Sequence, residues 1–204
     1  MIAIVDYQMG NIRSVQKAFQ KMGSDVIVTS KARDLENSKG IVLPGVGAFK
    51  DCISNLHSYG LFETIIRSIE KGKPFLGICL GLQSLFEESE EFGRSKGLGV
   101  FKGSVVRFQL ENLKIPHMGW NTVNFVNRHP IMEEDLDGSY FYFVHSYYVK
   151  PEDTEIIGGT TNYGIDFVSM VCKDNIIATQ FHPEKSQKAG LKLLKGFTNF
   201  VYSS

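Results

Sequence analysis

The segment that most restricts the fold of this chain is Lys73-Pro74-Phe75-Leu76-Gly77-Ile78-Cys79-Leu80-Gly81. The part Phe75–Ile78 is short, apolar and introduced by a proline, which predicts a buried strand. The following stretch Leu82–Phe86 is expected to form the first turns of a helix. Cys79 would then stand on a tight strand-to-helix turn, which requires a sheet with helices packed on it.

The two glycines around Cys79 indicate that this turn presents a nucleophile. A side chain at Gly77 or Gly81 would crowd a strained turn, so glycine is needed on both sides. The same turn exposes the serine nucleophile of G-x-S-x-G hydrolases. It would direct the sulfur away from the sheet, and a helix N-terminus would favour the thiolate. A lone cysteine can also be a small buried side chain at a strand end, but the glycines favour a nucleophile.

The N-terminal half alternates apolar strands with amphipathic helices. Such alternation predicts βαβ units and a parallel sheet, and hence an α/β fold. Besides the Cys79 strand, the predicted elements are strands Met1–Val5, Val26–Val28 and Ile41–Leu43, with helices Asn11–Met22, Lys31–Asn37, one ending near Leu56, and one from about Leu61 to Lys71.

After about Gly97 the pattern changes to closely spaced strands separated by turns, which predicts antiparallel strands added to the parallel sheet. Without a linker or an internal repeat, residues 1–204 are expected to form one domain. The predicted elements are strands near Val100–Phe108 and Tyr140–Val144, strands Glu155–Thr161, Phe167–Cys172 and Ile176–Gln180, and a final amphipathic helix Gln187–Tyr202.

Composition excludes several classes of protein. The 204 residues carry 22 basic and 22 acidic side chains, and this balance argues against a nucleic-acid or anionic-membrane partner. Three cysteines without CxxC spacing fit a reducing cytoplasm rather than a disulfide framework. The first residues predict a strand instead of a signal peptide, and no apolar segment is long enough to span a bilayer. No metal or cofactor is expected, because no ligand cluster has metal spacing.

A thiol nucleophile needs a base, and Gln180-Phe181-His182-Pro183-Glu184 supplies one directly after a predicted strand. His182 and Glu184 are two residues apart, so in an extended segment both side chains project to the same side. The carboxylate can then orient the imidazole, whose other nitrogen faces the sulfur. Taken without this context, His-Pro-Glu could also be a surface turn. His57 and His129 are expected to be solvated.

The second chemical need of such a site is an oxyanion hole. One donor would be the backbone N–H of Leu80, the residue after the nucleophile. A second could come from Pro44-Gly45-Val46-Gly47, a glycine-rich turn at the carboxyl end of a parallel strand, where α/β sheets place their ligands. The alternatives for this turn are a phosphate-binding loop or a plain turn.

These motifs resemble the class I, triad-type glutamine amidotransferases. That family uses a Cys-His-Glu triad on a flavodoxin-like fold to hydrolyse glutamine and deliver ammonia. Further motifs are similar to the glutaminase subunits of imidazole glycerol phosphate synthase, and the resemblance covers essentially the whole chain. The matching segments are Gly77–Gly81 with Gln83, His182–Glu184, Asp6-Tyr7, Gly10–Val15, Pro44–Phe49, Pro116–Asn121 and Tyr142–Tyr147.

The resemblance implies roles for individual residues. Cys79 would be the nucleophile, His182 the general base and acid, and Glu184 the residue that orients it. Val46 and Leu80 would supply the oxyanion hole. The glutamine pocket would be lined by Gly47, Gln83, His145, Ser146 and Tyr147.

The resemblance also implies a partner, a cyclase subunit with a (β/α)₈ barrel that uses the ammonia in histidine biosynthesis. Two small departures from the family pattern are Gln8, where glycine is common, and Leu82, where methionine is common. Trp120 and Tyr142 could instead pack in the core, and Lys185 could simply be solvated. The residues implied at the interface are Asn11, Trp120, Tyr142 and Lys185.

Two other functions fit the same sequence. A paralogous subunit could supply ammonia to a sugar-modifying synthetase, with the same triad and a different partner. A non-catalytic regulatory subunit could have kept the fold, although it would have no need of Cys79, His182 and Glu184 together. Glutaminase activity and the identity of the partner separate these possibilities.

Overall fold

The computed structural model describes residues 1–127, 129–132 and 136–203. A long mixed sheet runs through these residues. Its strands lie in the order β2 (Val26–Thr29), β1 (Ile2–Val5), β3 (Gly40–Gly45), β4 (Phe75–Cys79), β14 (Ile176–Thr179), β13 (Asp166–Lys173), β11 (Tyr147–Pro151), β7 (Phe101–Arg107), β5 (Phe86–Ser89) and β6 (Ser95–Lys96). Strands β2, β1, β3, β4 and β14 are parallel, and from β13 onward the sheet continues mainly with antiparallel pairs. The α/β fold with added antiparallel strands is therefore confirmed.

The parallel part forms because its inner strands are buried on both faces and its helices present one apolar stripe to the sheet, while the edge strand β2 is only partly buried. Its elements are β1 (Ile2–Val5), α1 (Ile12–Lys21), β2 (Val26–Thr29), α2 (Ala32–Asn37), β3 (Gly40–Gly45), α3 (Phe49–Ser58), α4 (Phe62–Glu70), β4 (Phe75–Cys79) and α5 (Leu80–Gln83).

The second part adds short strands, two 3-10 turns and the C-terminal helix. Strands β8 and β10 form a separate two-stranded sheet. The elements are β5 (Phe86–Ser89), β6 (Ser95–Lys96), β7 (Phe101–Arg107), β8 (His117–Thr122), β9 (Asn124–Phe125), β10 (Tyr140–His145), β11 (Tyr147–Pro151), a turn at Thr154–Ile156, β12 (Ile157–Asn162), β13 (Asp166–Lys173), β14 (Ile176–Thr179), a turn at Pro183–Lys185, and α6 (Gln187–Ser203).

One predicted helix was wrong. The helix after Cys79 does not run over Leu82–Phe86: α5 starts at Leu80 and ends at Gln83 after one turn, and Phe86 begins β5. Phe86 pairs with Phe101 of β7, so tertiary pairing outweighs the local helical pattern. The strands β5, β6, β8, β9 and β11 have no counterpart among the elements predicted from the sequence.

Two apolar cores lie on opposite faces of the sheet. Alternate residues of β1 and β3 divide between them, as the two-residue period of a strand requires. One core receives α1 and α6, and the other receives α3 and α4. None of the helices in the described ranges combines the length and the apolar character needed to traverse a bilayer.

Candidate active site

Cys79 ends β4 in a strained conformation, with φ 56° and ψ −105°. Packing enforces this turn: a Cβ on Gly77 would lie 2.7 Å from the carbonyl oxygen of Gly81, and one on Gly81 would clash with the carbonyl oxygen of Leu43. The predicted need for both glycines is therefore confirmed. Because α5 is only one turn long, the helix dipole contributes less than the sequence suggested.

Sheet register brings the other predicted residues to Cys79. Gly45 of β3 lies opposite Cys79 of β4, and on the other side Ile78 lies opposite Thr179 of β14. The turn containing His182 thus follows the strand next to the nucleophile. The backbone N–H of His182 donates to the Tyr142 carbonyl oxygen at 2.9 Å, which fixes the turn on β10.

His182 and Glu184 form a buried pair. Nδ1 of His182 lies 2.9 Å from Oε1 of Glu184, and the side chains are 2% and 1% exposed. The other ring nitrogen, Nε2, is buried and has no hydrogen-bond partner among the described residues. Burial alone would lower the pKa of His182, but Cys79 and Glu184 outweigh it and raise the pKa above the usual value. This arrangement favours an imidazolium beside the sulfur.

A cavity of about 520 Å³ opens over Cys79, within the size range of small-molecule sites. The structure brings the predicted oxyanion and pocket residues to its wall. The predicted residues among its lining are Val46, Gly47, Cys79, Leu80, Gln83, His145, Ser146 and Tyr147. Within the described ranges, no group of three or more His, Cys, Asp or Glu side chains is suited to hold a metal ion.

Comparison with known proteins identifies the family of this chain. Residues 3–199 match the family described as Glutamine amidotransferase class-I. The chain belongs to this family. The imidazole glycerol phosphate synthase subunit HisH of Syntrophotalea carbinolica is 52% identical over 203 residues, covering 97% of this chain and 98% of that protein. The subunit of the same name from Aquifex aeolicus is 52% identical over 195 residues, covering 95% and 94%.

A solved structure shares the fold of this amidotransferase at much lower identity. A crystal structure described as a glutamine amidotransferase superposes with a TM-score of 0.78 at 19% identity, covering 99% of this chain and all of that one. The family and the fold expected from the sequence motifs are thus confirmed, while the roles of individual residues remain predictions.

The surface of this amidotransferase carries the residues predicted to meet a partner. Trp120 is 47% exposed, so its alternative placement in the core is wrong. Its ring packs edge-on against the half-buried Tyr142, its cross-strand neighbour, at 6.2 Å. Lys185 places Nζ 5.6 Å from the centre of the Tyr142 ring. Asn11 is exposed at the start of α1, which contacts the turn of Lys185.

Gln8, where the family commonly has glycine, adopts a positive φ of 65°. This is a backbone region that glycine enters at no steric cost. Its backbone N–H donates to the Asp6 carboxylate at 3.0 Å, which helps to hold the turn. Gln8 therefore holds a backbone conformation that is readily open to glycine.

The remaining cysteines are unsuited to nucleophilic attack. Cys52 and Cys172 are buried, and burial raises the pKa of the Cys52 thiol to about 12 and that of Cys172 higher still. His57 is exposed as predicted, whereas His129 is only partly exposed and its Nε2 lies 3.0 Å from the Asp174 carbonyl oxygen.

Sequence reasoning missed several residues of the site. Gln180 is fully buried, and its Nε2 lies 3.6 Å from the sulfur of Cys79. Its position immediately before Phe181-His182 was the available signal. Glu91 and Arg107 line the cavity. Neither belongs to a motif that the sequence makes recognisable.

Proposed function

We propose that this chain hydrolyses glutamine through Cys79, His182 and Glu184, as the glutaminase subunit of imidazole glycerol phosphate synthase. The observation that carries the proposal is the pairing of β4 with β14. It puts the strained cysteine beside a buried histidine-carboxylate pair, at the edge of a cavity large enough for an amino acid. About 50% identity to subunits of that synthase over nearly the full length supports the same assignment.

The first half of the reaction releases ammonia. The thiolate of Cys79 attacks the side-chain amide carbon of glutamine, and the carbonyl oxygen becomes an oxyanion. The N–H groups of Leu80 and Val46 stabilise that charge. His182 gives its proton to the departing nitrogen, the C–N bond breaks, and a glutamyl thioester and ammonia form.

The second half releases glutamate. Neutral His182 removes a proton from water, and the resulting hydroxide attacks the thioester carbon. The C–S bond then breaks, leaving glutamate and a thiolate beside the imidazolium. Glu184 orients the ring and stabilises its positive charge throughout, so it needs no proton transfer of its own.

The charged groups of the cavity suit the head of an amino acid. The Glu91 carboxylate matches the α-ammonium group of glutamine, and the Arg107 guanidinium matches its α-carboxylate. Gly47, Ser146 and Tyr147 also line the wall. These contacts would distinguish glutamine from simple amides.

The exposed apolar surface of β8 and β10 is proposed to bind the (β/α)₈ barrel of the cyclase subunit. Met118 and Tyr140 are 62% exposed and flank Trp120, and large exposed apolar side chains grouped in this way mark an interaction site. Tyr142 and Lys185 extend this surface toward the catalytic turn. We also propose that residues 1–204 act as one domain and that the reaction takes place in the cytoplasm, as the free cysteines suggest.

The test is reconstitution with a cyclase subunit from the histidine pathway of the same organism. We expect a stable complex that releases glutamate from glutamine and forms imidazole glycerol phosphate. Glutaminase activity that is stimulated only by a sugar-modifying synthetase would support the paralogous function instead. A folded complex without any glutaminase activity would contradict the catalytic proposal.

A further inference from the structure

A continuous chain of hydrogen bonds leads from strand β8 to the sulfur of Cys79. It begins at Asn121, whose Nδ2 donates to the Asn162 carbonyl oxygen at 2.8 Å and lies 3.2 Å from Nε2 of His117. Nδ1 of His117 lies 2.9 Å from Nε2 of His145, and Nδ1 of His145 lies 2.8 Å from the Tyr147 carbonyl oxygen. Each of these links therefore has hydrogen-bond geometry.

The second part of the chain reaches the nucleophile through two glutamines. The Tyr147 carbonyl oxygen also accepts from Nε2 of Gln83 at 3.1 Å. The same Nε2 donates to Oε1 of Gln180 at 3.0 Å, and Nε2 of Gln180 donates to Sγ of Cys79 at 3.6 Å. The two amides are thus oriented by their partners.

Only one pattern of donors satisfies all of these contacts. A carbonyl oxygen only accepts, so His145 must carry its proton on Nδ1 and accept at Nε2. His117 must then donate from Nδ1 and accept from Asn121 at Nε2. Burial supports this neutral state because it lowers the pKa of His117 to about 4 and that of His145 to about 3.

This pattern changes the role expected of His145. Both of its ring nitrogens are used within the protein, so its side chain has no hydrogen bond left for glutamine. The Gln180 amide, by contrast, has one N–H directed at the sulfur, where it can hold a thiolate. His117 is fixed by stacking on Tyr163 and Phe143, at 4.1 and 4.7 Å between ring centres.

We infer that Gln180 and His117 are positioning residues of one hydrogen-bonded chain, which holds the Cys79 sulfur in place for attack on glutamine. The inference rests on the proposed glutaminase function. It requires that loss of either residue lowers the rate of attack by the thiolate more than it changes the binding of glutamine.

The test compares Gln180→Leu and His117→Phe with wild type in the complex with the cyclase subunit. Gln180→Leu should lower kcat about tenfold, as expected for a lost hydrogen bond to a charged sulfur, with KM changed less than about twofold. Alkylation of Cys79 by iodoacetamide should slow to a similar extent. His117→Phe keeps the stacking and should lower kcat about threefold, whereas His117→Asn, which retains an N–H donor, should recover most of the loss.

Matched controls are Gln20→Leu and His57→Phe, which change exposed residues of α1 and α3. Both should behave as wild type. In the double variant Gln180→Leu/His117→Phe, the loss should be smaller than the product of the single losses, because the two residues act through one chain.

Two results would overturn the inference. One is a folded Gln180→Leu variant, with unchanged thermal midpoint, that keeps the wild-type kcat and alkylation rate. The other is a double variant whose losses multiply. Failure of the proposed function is a separate result, since it would appear as continued hydrolysis of glutamine by Cys79→Ala.

Discussion

The turns at the ends of β3 and β4 lie side by side at one edge of the sheet but differ in how firmly they are held. At the end of β4, Cys79 is 6% exposed, and Gly81, two residues on, has no space for a Cβ because the backbone of Leu43 blocks it. After β3, Val46 is 39% exposed, and a Cβ on Gly47 would meet only the flexible end of Met9 at 2.9 Å.

This difference separates two tasks of the proposed reaction. The nucleophile is fixed by backbone packing, so its position does not depend on a partner. The loop expected to supply the second oxyanion donor has room to change, and a peptide beside Gly47, with φ 104°, can reorient at low cost. We therefore expect regulation to act on the loop after β3 and not on the turn of Cys79.

The largest effect should come from a change at Cys79, in the rigidly held turn at the end of β4. Cys79→Ala should lower glutamine-dependent synthesis about 10⁶-fold, as removal of a triad nucleophile does. Synthesis from added ammonia by the same complex should continue, because only the supply of ammonia is lost. Parallel assays with glutamine and with ammonium chloride measure the two rates of synthesis. Loss of the ammonia-dependent reaction in a folded complex would contradict a role limited to ammonia supply.

Glu184→Gln should have the next largest effect, about 10⁴-fold in kcat. The amide cannot stabilise the imidazolium of His182, but the nucleophile itself remains. Steady-state release of glutamate from the complex measures the loss. A wild-type rate would show that Glu184 is not part of the triad.

A smaller effect, which depends on the partner, is expected from the loop after β3. If the Val46 N–H is turned away at rest, the isolated chain should hydrolyse glutamine about 10²–10³-fold more slowly than the complex with the cyclase ligand bound. Such a change corresponds to a few kcal/mol, within the range that binding can shift. Glutaminase rates of the chain, the complex and the liganded complex test this, and three equal rates would mean that both donors are already in place.

A matched pair of alanine substitutions tests the comparison through stability. Gly81→Ala should lower the free energy of unfolding by about 3 kcal/mol or more, because its Cβ meets fixed backbone. Gly47→Ala should cost only about 1–2 kcal/mol, the strain of a positive φ. Urea unfolding of the two variants gives the difference, and equal losses would remove the distinction between the loops.

The smallest effect concerns pH and the histidines behind the pocket. Burial holds the pKa of His117 at about 4 and that of His145 at about 3, below the usual value of about 6.5. Their stabilising contribution is therefore complete above about pH 6.5 and is lost as the pH falls toward 4 and then 3. Urea midpoints measured between about pH 7.5 and 4.5 should fall more steeply for wild type than for His117→Phe.

The sequence predicted the parallel part well because its strands are apolar runs and its helices carry clear apolar stripes. It failed for β8, where the usual pattern is inverted: Met118 and Trp120 face solvent while His117 is buried. The usual strand pattern places apolar side chains toward the core and polar ones toward solvent, and a strand with an outward apolar face does not follow it. Its buried histidine is hydrogen-bonded to His145 on the neighbouring strand and to Asn121 on its own strand.

The site was predictable where residues near in sequence act together, as His182 and Glu184 do. It was not predictable where the fold joins distant residues. Gln83 and Gln180 meet only because β4 and β14 are neighbours, and no periodicity of either segment indicates that contact. Local motifs thus allowed the proposed catalytic residues to be predicted. The buried groups that contact those residues come together only through long-range strand pairing.

The pairing of β4 with β14 also determines how late in synthesis the site can assemble. Residue 184 follows residue 79 by 105 positions, so at ordinary rates of translation the ribosome takes on the order of 5–20 s to add the second after the first. In the proposed mechanism, the nascent protein has no base for its cysteine through that interval. Glutamine would then be hydrolysed only after the last strand of the parallel sheet has emerged and inserted beside β4.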